Sequence, residues 1–342
     1  MSERVTLRDV ALEADVHIST ASRALNPETR SIVNRETVER VLEVARRLGY
    51  RPHPLAQGLR TNRTMSVGMV IPDVENPLFG PIIAGAEHVL GTEGYSLLIT
   101  NTEINESETS AAVEALVERR VDGIILATAS RSDDVIRHLV DRRVPMVLVN
   151  RSTEGIPVPA ILGDDMSGIG LAVDHLIDLG HTRIGHVSGP HHLSTGLGRY
   201  QAFLTRMQAR NLAVDSSAIE EATWYQTDPG YKAATTLLAR RPDLTAIVAA
   251  NDLIALGCYR AVQEMGRQVG RDISITGYND IPLLDMMQPP MTSVRVPYRQ
   301  MGVEAAGTLL SMLASGSTDE KPISIRLTPV LSVRGSTGPP RG

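Results

Sequence analysis

The stretch TLRDVALEADVHISTASRALN, residues 6–26, has the pattern of two short helices joined by a tight turn. Thr6 and Asp9 form a capping-box-like start, with an oxygen for free amides and an acid near the helix dipole. Residues 15–17 form the predicted turn, with Val16 as its buried residue. The inner stripe of the first predicted helix consists of Val10, Ala11 and Ala14.

The second predicted helix, residues 18–25, buries small side chains on one side and presents polar ones on the other. Its buried residues are Ala21, Ala24 and Leu25, and its outer residues are Ile18, Ser19, Ser22 and Arg23. A third helix, capped by Asn34, follows with the stripe Val38, Val41, Leu42, Ala45 and Leu48. This arrangement places the second helix in a DNA major groove, but it also fits an ordinary three-helix bundle with a solvated polar face. Spacing alone does not decide between the two.

The outer face of the second helix suits DNA chemically. Arg23 can read guanine in bidentate fashion, and Ser19 is a short, adaptable donor or acceptor. Thr20, Ser22 and Asn26 are better placed for phosphate. The sequence therefore predicts base contacts from one end of this helix and backbone contacts around it.

Charge is distributed unevenly along the 342 residues, whose formal net charge is -5. Residues 1–63 hold 11 Arg and eight acids, whereas the remainder holds 23 basic and 31 acidic residues. A basic head on an acidic body is expected when one end of a protein faces phosphate. The single cysteine, Cys258, and the lack of any signal-like or membrane-length apolar run predict a cytoplasmic protein.

After a Pro- and Gly-containing segment at 51–64, short apolar runs alternate with amphipathic stretches. The runs are 67–71, 95–100, 123–127, 145–150, 183–188, 246–250 and 273–277, and the helical patterns lie near 80–93, 106–120, 133–143, 166–180, 197–211, 229–240 and 252–265. This alternation predicts parallel sheets covered on both faces. About 270 such residues favour two lobes over one.

Residues 6–11 and 19–26 closely resemble the head of the lactose-repressor family of bacterial transcription regulators, and the resemblance resumes at residues 48–52 and runs to about Arg334. The resemblance implies a small all-α helix-turn-helix head and an α/β, two-lobed, periplasmic-binding-protein-like body of parallel doubly wound sheets. It also assigns base reading to Ile18, Ser19 and Arg23, and phosphate contacts to the set Thr6, Thr20, Ser22 and Asn26.

Two residues of the turn depart from the family pattern. Asp15 replaces the usual Gly and His17 replaces the usual Ser. Asp tolerates left-handed backbone better than most residues, whereas His is a poorer helix cap. We therefore expect an intact but slightly destabilised motif.

Residues 53–60 match the family's hinge, which folds into a short helix when a dimer binds DNA. The resemblance implies that Leu59, with Ala56, enters the minor groove at the operator centre and kinks the duplex. The alternative is a leucine that packs between the two hinges. Gly58 costs such a helix about 1 kcal/mol relative to Ala.

The resemblance also implies a small-molecule effector between the lobes, for which a sugar or sugar derivative is the first expectation. The implied effector-binding residues are Leu78, Phe79, Asn150, Thr195, Arg199, Tyr225, Asn251 and Asn279. Trp224 takes the aromatic position if the register slips by one. The family often has Asp where this chain has Asn150 and Asn279, which leaves Asp280 as the nearest acid. Such a pocket accepts neutral or anionic ligands and disfavours cations.

The residues give little support for a metal site, a reactive cysteine or an enzyme active site. Five histidines lie within residues 175–192, but they fall on a helix, a strand and loops, so we expect no metal and no cofactor. Cys258 has no basic partner in sequence, which favours a buried spectator over a nucleophile. No nucleophile-elbow, phosphate-loop or dinucleotide motif occurs, so we expect no enzyme.

The sequence thus predicts a homodimeric transcription regulator, a repressor, that binds a pseudo-palindromic operator. A transport solute-binding protein would share the body but not the basic head, and a sugar-processing enzyme would need convergent carboxylates. The predicted boundaries are a head at 1–50, a hinge at 51–64, a body at 65–335 and a frayed tail at 336–342. Within the body, the N-lobe takes 65–162 and 293–322, and the C-lobe takes 163–292 and 323–335.

Overall fold

The computed structural model describes residues 5–26, 29–50, 63–102, 106–316 and 322–341. The chain divides into two compact units, Met1–Met65 and Ser66–Gly342. None of the helices within these described ranges is long and apolar enough to cross a membrane.

The first unit contains three helices. They are α1 (Leu7–Glu13), α2 (Ile18–Leu25) and α3 (Arg35–Leu48). The predicted capping box is present: the amide of Asp9 donates to the Thr6 hydroxyl, and Asp9 accepts from the Thr6 amide at 2.7 Å. Val10, Ala21 and Val41, one from each helix, are completely buried and form the centre of the small core.

The second unit begins with a six-stranded sheet in which every pairing is parallel. Its strands are β1 (Ser66–Ile71), β2 (Ser96–Asn101), β3 (Gly123–Leu126), β4 (Met146–Val149), β5 (Ala160–Gly163) and β11 (Ser324–Leu327). The spatial order is β11-β5-β4-β3-β1-β2. The helices of this lobe are α4 (Phe79–Thr92), α5 (Glu106–Glu118), α6 (Asp134–Asp141) and α11 (Tyr298–Ser315).

A second six-stranded sheet forms the other lobe. Its strands are β6 (Ile184–Ser188), β7 (Ile219–Glu221), β8 (Ala246–Ala249), β9 (Ser274–Asn279), β10 (Thr292–Arg295) and β12 (Val330–Ser332). The order is β12-β10-β9-β8-β6-β7, with only the β10–β12 pairing antiparallel. Its helices are α7 (Asp165–Asp178), α8 (Ser194–Ala209), α9 (Thr227–Arg240) and α10 (Asp252–Glu264). The predicted two-lobed fold of parallel sheets is confirmed.

Two predicted lobe boundaries are wrong. Strand β10 was expected in the N-lobe, yet it pairs with β9 in the second sheet. Strand β11 was expected in the C-lobe, yet it pairs with β5 in the first sheet. The chain therefore changes sheet near residues 164, 297 and 328. These strands have only four residues each, and pairing partners distant in sequence leave no local signal.

The predicted fraying of the tail is also wrong in the described part, which ends at residue 341. Ser336 is completely buried, and its hydroxyl donates to the Ile275 carbonyl at 2.6 Å. The amide of Gly338 donates to Ser274 Oγ at 3.1 Å. Hydrogen bonds to the second sheet thus hold a Gly- and Pro-rich segment whose composition suggested disorder.

Candidate DNA-reading helix and effector cavity

Helix α2 has one buried and one open face. Ala21 and Ala24 are completely buried, whereas Ile18, Ser19 and Arg23 are exposed. The guanidinium of Arg23 forms no ion pair within the described residues. The three predicted base-reading side chains therefore share the solvent face of this helix.

The turn before α2 adopts the geometry that its two unusual residues allow. Asp15 has φ 49°, in the left-handed region. His17 occupies the N-cap position, where its Nδ1 accepts from the Ser19 amide at 3.3 Å and lies 2.8 Å from Ser19 Oγ. An imidazole nitrogen thus takes the place of the usual cap oxygen, and it also orients the Ser19 hydroxyl.

The predicted phosphate-contacting residues differ in exposure. Thr20, Ser22 and Asn26 are half-buried, and Thr6 is exposed. The Thr6 hydroxyl donates to Asp9 at 2.7 Å, so it serves the helix cap in the protein alone. Leu59 and Ala56 of the predicted hinge lie outside the described residues.

A cavity in the second unit brings together all eight predicted effector-binding residues. It is a partly open site whose walls come from both lobes of this unit. Its lining consists of Pro72, Asp73, Asn76, Leu78, Phe79, Asn150, Arg151, Thr195, Arg199, Trp224, Tyr225, Asn251 and Asn279. These residues follow the carboxyl ends of six strands from both sheets, because parallel strands carry their loops to the same edge.

Arg199 is buried and fully compensated. Its Nε donates to Asp165 Oδ1 at 2.8 Å, its Nη1 donates to the Ala250 carbonyl at 2.8 Å, and its guanidinium lies 3.9 Å from the Tyr278 ring centroid. Burial alone would lower the pKa of Arg199, but the charge of Asp165 together with the nearby Tyr278, Tyr225 and Tyr298 raises the pKa. Arg199 is therefore a fixed donor whose charge has an internal partner.

Two asparagine amides are oriented by their carbonyl oxygens. Asn251 Oδ1 accepts from the Ile254 amide at 2.8 Å and caps α10, while Asn279 Oδ1 accepts from the Tyr298 hydroxyl at 2.7 Å. Within the described part of the chain, no hydrogen bond uses the Nδ2 of either residue. Both amides therefore have donors available for a ligand oxygen.

The sequence left two candidates for the aromatic residue of the cavity, Trp224 and Tyr225. Both of them line it. The Tyr225 hydroxyl donates to Thr195 Oγ1 at 3.0 Å, which holds the ring in place. Together with the buried Phe79, these rings provide the apolar surface of the cavity.

The acid nearest to the cavity differs from the expected one. Asp280 is bonded to Arg334 and Arg295, each at 2.7 Å, and does not line the cavity. The acid that lines it is Asp73, which was not predicted and which is fixed by the Glu75 amide at 2.9 Å.

Sequence reasoning also missed Arg151, which follows Asn150 at the end of β4. Its side chain is buried in the cavity wall, 5.5 Å from the Trp224 ring centroid. Its Nε has no hydrogen-bond partner, and no described carboxylate forms an ion pair with it. Burial lowers the pKa of Arg151 to about 10, Tyr225 opposes this change and Arg199 adds to it. Its position directly after a strand was the available signal.

The surroundings of His181, His186 and Cys258 indicate structural rather than catalytic or metal-binding roles. His181 bonds to Thr245, Ser274 and the carbonyl of Gly338, and His186 bonds to the Val248 carbonyl. Among the described residues, no three His, Cys, Asp or Glu side chains are grouped to hold a metal. Burial raises the pKa of the Cys258 thiol to about 12, which disfavours a nucleophilic thiolate.

Comparison with known proteins identifies the family that shares this architecture. A family model described as bacterial regulatory proteins, lacI family, matches residues 6–53, and one for a periplasmic binding protein-like domain matches residues 173–337. The HTH-type transcriptional regulator reg1 of Streptomyces lividans is 35% identical over 341 residues, covering 97% of this chain and 96% of reg1. The chain belongs to the LacI family.

Solved structures agree with the family assignment. The Lac repressor dimer bound to operator and the anti-inducer ONPF matches with a TM-score of 0.86 and 26% identity, covering 98% of this chain and all of that one. A complex of the transcriptional regulator CelR with cellobiose matches with a TM-score of 0.75 and 29% identity, covering 97% and 100%. This LacI-family protein is a DNA-binding transcription regulator modulated by a ligand, and its relatives are regulators rather than enzymes.

Proposed function

We propose that this LacI-family regulator is a repressor that binds a pseudo-palindromic operator as a homodimer and releases or retains it according to a sugar-like effector. One observation carries the effector part of the proposal. The eight side chains that the family resemblance implies for effector binding line a single cavity. We place the protein in the cytoplasm, since this role requires access to chromosomal DNA. The role itself requires no catalysis.

The cavity chemistry supports a hydroxylated ligand. Asn251 and Asn279 offer amide donors, Arg199 offers a rigid guanidinium, and Phe79 and Trp224 offer apolar faces. Polar groups at fixed positions on an aromatic background suit a ring with hydroxyls on its edge. The CelR structure holds cellobiose, which supports a carbohydrate here as well.

The head supports recognition through the open face of α2. We propose that Ile18, Ser19 and Arg23 meet base edges, with Ile18 contributing an apolar contact such as that to a thymine methyl. The phosphate set Thr6, Thr20, Ser22 and Asn26 would fix the register. Leu59 and Ala56 are proposed to insert at the operator centre, with 51–64 as the hinge.

Contacts between the lobes indicate how a ligand would act. The amide of Arg131, in the first lobe, donates to the His192 carbonyl at 3.1 Å, and its Nη1 donates to the His191 carbonyl at 3.2 Å. The amide of Ser152 donates to Ser194 Oγ at 2.8 Å. A ligand that touches both lobes would favour one arrangement of them and so shift operator affinity.

The test is fluorescence anisotropy with labelled DNA from the region upstream of the protein's own gene, across a salt series. We expect saturable binding that weakens with salt, a loss of sequence preference in Arg23→Ala, and a change in affinity with a sugar panel. Arg137→Ala on exposed α6 is the matched control. Salt-independent binding, or none by the wild type, would contradict the proposal.

A further inference from the structure

Arg151 is a buried cation in the wall of the effector cavity without an anion of its own. Its Nε has no partner, and no carboxylate within the described ranges forms an ion pair with it. From this geometry we propose that the effector is an acidic sugar derivative whose carboxylate or phosphate pairs with Arg151. The inference rests on the proposed function, since it specifies the ligand of the same cavity.

The contrast with Arg199 explains why the charge calls for a ligand. Both arginines are at most 5% exposed, but Arg199 has Asp165 at 2.8 Å and the carbonyl of Ala250 at 2.8 Å. Arg151 lies over the face of Trp224, 5.5 Å from the ring centroid, and none of the described carboxylates pairs with it. A buried charge without a counterion is costly, and such groups are normally paired or serve a binding site.

Arg199 also adds to the positive potential at Arg151, because Coulomb repulsion between them contributes to the lowered pKa of Arg151. The acid in the lining, Asp73, is half-buried, and one of its oxygens accepts from the Glu75 amide. An acidic ligand would relieve this repulsion, and Asp73 would accept from one of its hydroxyls.

The remaining lining fits the rest of such a molecule. The guanidinium fork of Arg151 matches the two oxygens of a carboxylate or phosphate. Asn251 and Asn279 hold free amide donors for hydroxyl oxygens, and Phe79 and Trp224 cover an apolar ring face. Uronates, aldonates and sugar phosphates all combine these parts.

The first experiment is calorimetric titration of the full-length protein with matched ligands. The probes are D-glucose, D-galactose and D-mannose, their uronates, and their 6-phosphates, so that carboxylate and phosphate are separate arms. We expect an acidic member to bind roughly tenfold to a hundredfold tighter than its neutral parent. Arg151→Gln should abolish that preference, while Arg199→Gln should weaken the neutral and acidic members alike. Equal affinity for parent and acid, or a preference kept in Arg151→Gln, would overturn the proposal.

A second measurement decides the question even if no panel member binds. We expect Arg151→Met to raise the Tm of the ligand-free protein, since it removes an uncompensated charge, and Arg199→Met to lower it, since Asp165 loses its partner. Inorganic phosphate should raise the wild-type Tm more than sodium chloride of equal ionic strength, and this difference should vanish in Arg151→Gln. A Tm lowered in both Met variants, with no phosphate effect, would make Arg151 a structural residue.

Failure of this inference is distinguishable from failure of the proposed function. Wild-type operator binding without ligand tests the regulator role, whereas the ligand preference is measured without DNA. Operator binding that responds only to neutral sugars would sustain the regulator and overturn the acidic effector. Acid-selective ligand binding without any operator binding would sustain the acidic effector and overturn the regulator role.

Discussion

At the residue scale, His17 shows how one substitution changes a local structure without changing the motif. Its Nδ1 caps α2 through the Ser19 amide, at 3.3 Å, and lies 2.8 Å from the Ser19 hydroxyl. The ring nitrogen must therefore keep a lone pair, so the proton lies on Nε2 in the neutral ring. This residue couples the stability of α2 to the orientation of a proposed base-reading side chain.

We expect His17→Ala to destabilise the head by about 1 kcal/mol, because α2 loses its N-cap. His17→Ser keeps a capping oxygen and is the matched control. Hydrogen exchange of the α2 amides, followed by mass spectrometry on the full chain, measures the change. Equal protection in wild type and His17→Ala would show that the imidazole contributes nothing to the cap.

Asp252 is a second residue with an unusual environment, buried at the start of α10. It accepts from Ser293 Oγ at 2.5 Å and from the Ile281 amide at 2.9 Å. Burial nevertheless raises the pKa of its carboxyl from 3.8 to about 6, and the nearby charge of Asp280 adds to the rise. The folded state thus holds this proton more tightly than the unfolded chain, so the stabilisation is present below the unfolded pKa and is lost as pH rises through about 6.

The prediction compares wild type with Asp252→Asn by denaturant unfolding, followed by the fluorescence of Trp224 in the same lobe. The stability of wild type relative to the variant should fall by roughly 2 kcal/mol between about pH 4 and about pH 7. Asp134→Asn, at an exposed site on α6, controls for the change of residue type. A difference that stays constant with pH would refute this assignment.

At the element scale, the packing of α4 against α11 depends on two glycines. A Cβ at Gly85 would overlap the carbonyl oxygen of Arg299, and one at Gly302 would overlap that of Ile82. The obstacles are backbone atoms, which cannot rotate away. The two helices therefore approach more closely than any side chain allows, and this contact anchors α11 to the first lobe.

We expect Gly302→Ala to lower the free energy of unfolding by about 1–3 kcal/mol, because the helices must separate. Gly307, on the same helix α11, has nothing within 4 Å of its ideal Cβ position. Gly307→Ala should therefore stabilise by up to about 1 kcal/mol through helix propensity. Thermal unfolding of the two variants tests the pair, and shifts of the same sign would contradict the packing argument.

At the scale of the whole sensor unit, three chain crossings join the lobes, and backbone and side-chain hydrogen bonds link them across the gap. Arg131 contributes two hydrogen bonds to carbonyls of residues 191 and 192, and its Nε pairs with Glu154 at 2.6 Å. Arg131 does not line the cavity. It therefore affects ligand binding only through the arrangement of the lobes.

We expect Arg131→Ala to weaken effector affinity by roughly fivefold, about 1 kcal/mol, because the two lobes lose the hydrogen bond from Nη1 to the His191 carbonyl, outside the cavity. Quenching of Trp224, the only tryptophan, by the tightest-binding sugar of the panel provides the measurement. Arg137→Ala, an exposed residue of the same lobe, is the control. Unchanged affinity in Arg131→Ala would show that these contacts are irrelevant to closure.

The sequence by itself determined what depends on local pattern. The cap at Thr6, the two faces of α2 and the strand–helix alternation all follow from residue spacing, which fixes what one element buries. It also placed Asn150, Asn251 and Asn279 at strand ends, and parallel sheets carry such ends to one edge.

Only the tertiary structure decided which distant groups meet. It paired β11 with β5, docked Ser336 on the second sheet, and gave Asp280 to two arginines instead of the cavity. Within the described ranges it also placed no carboxylate against Arg151, although the sequence shows acids throughout the body. Ion pairing and edge-strand pairing depend on the positions of residues far apart in the chain, and spacing along the sequence does not encode those positions.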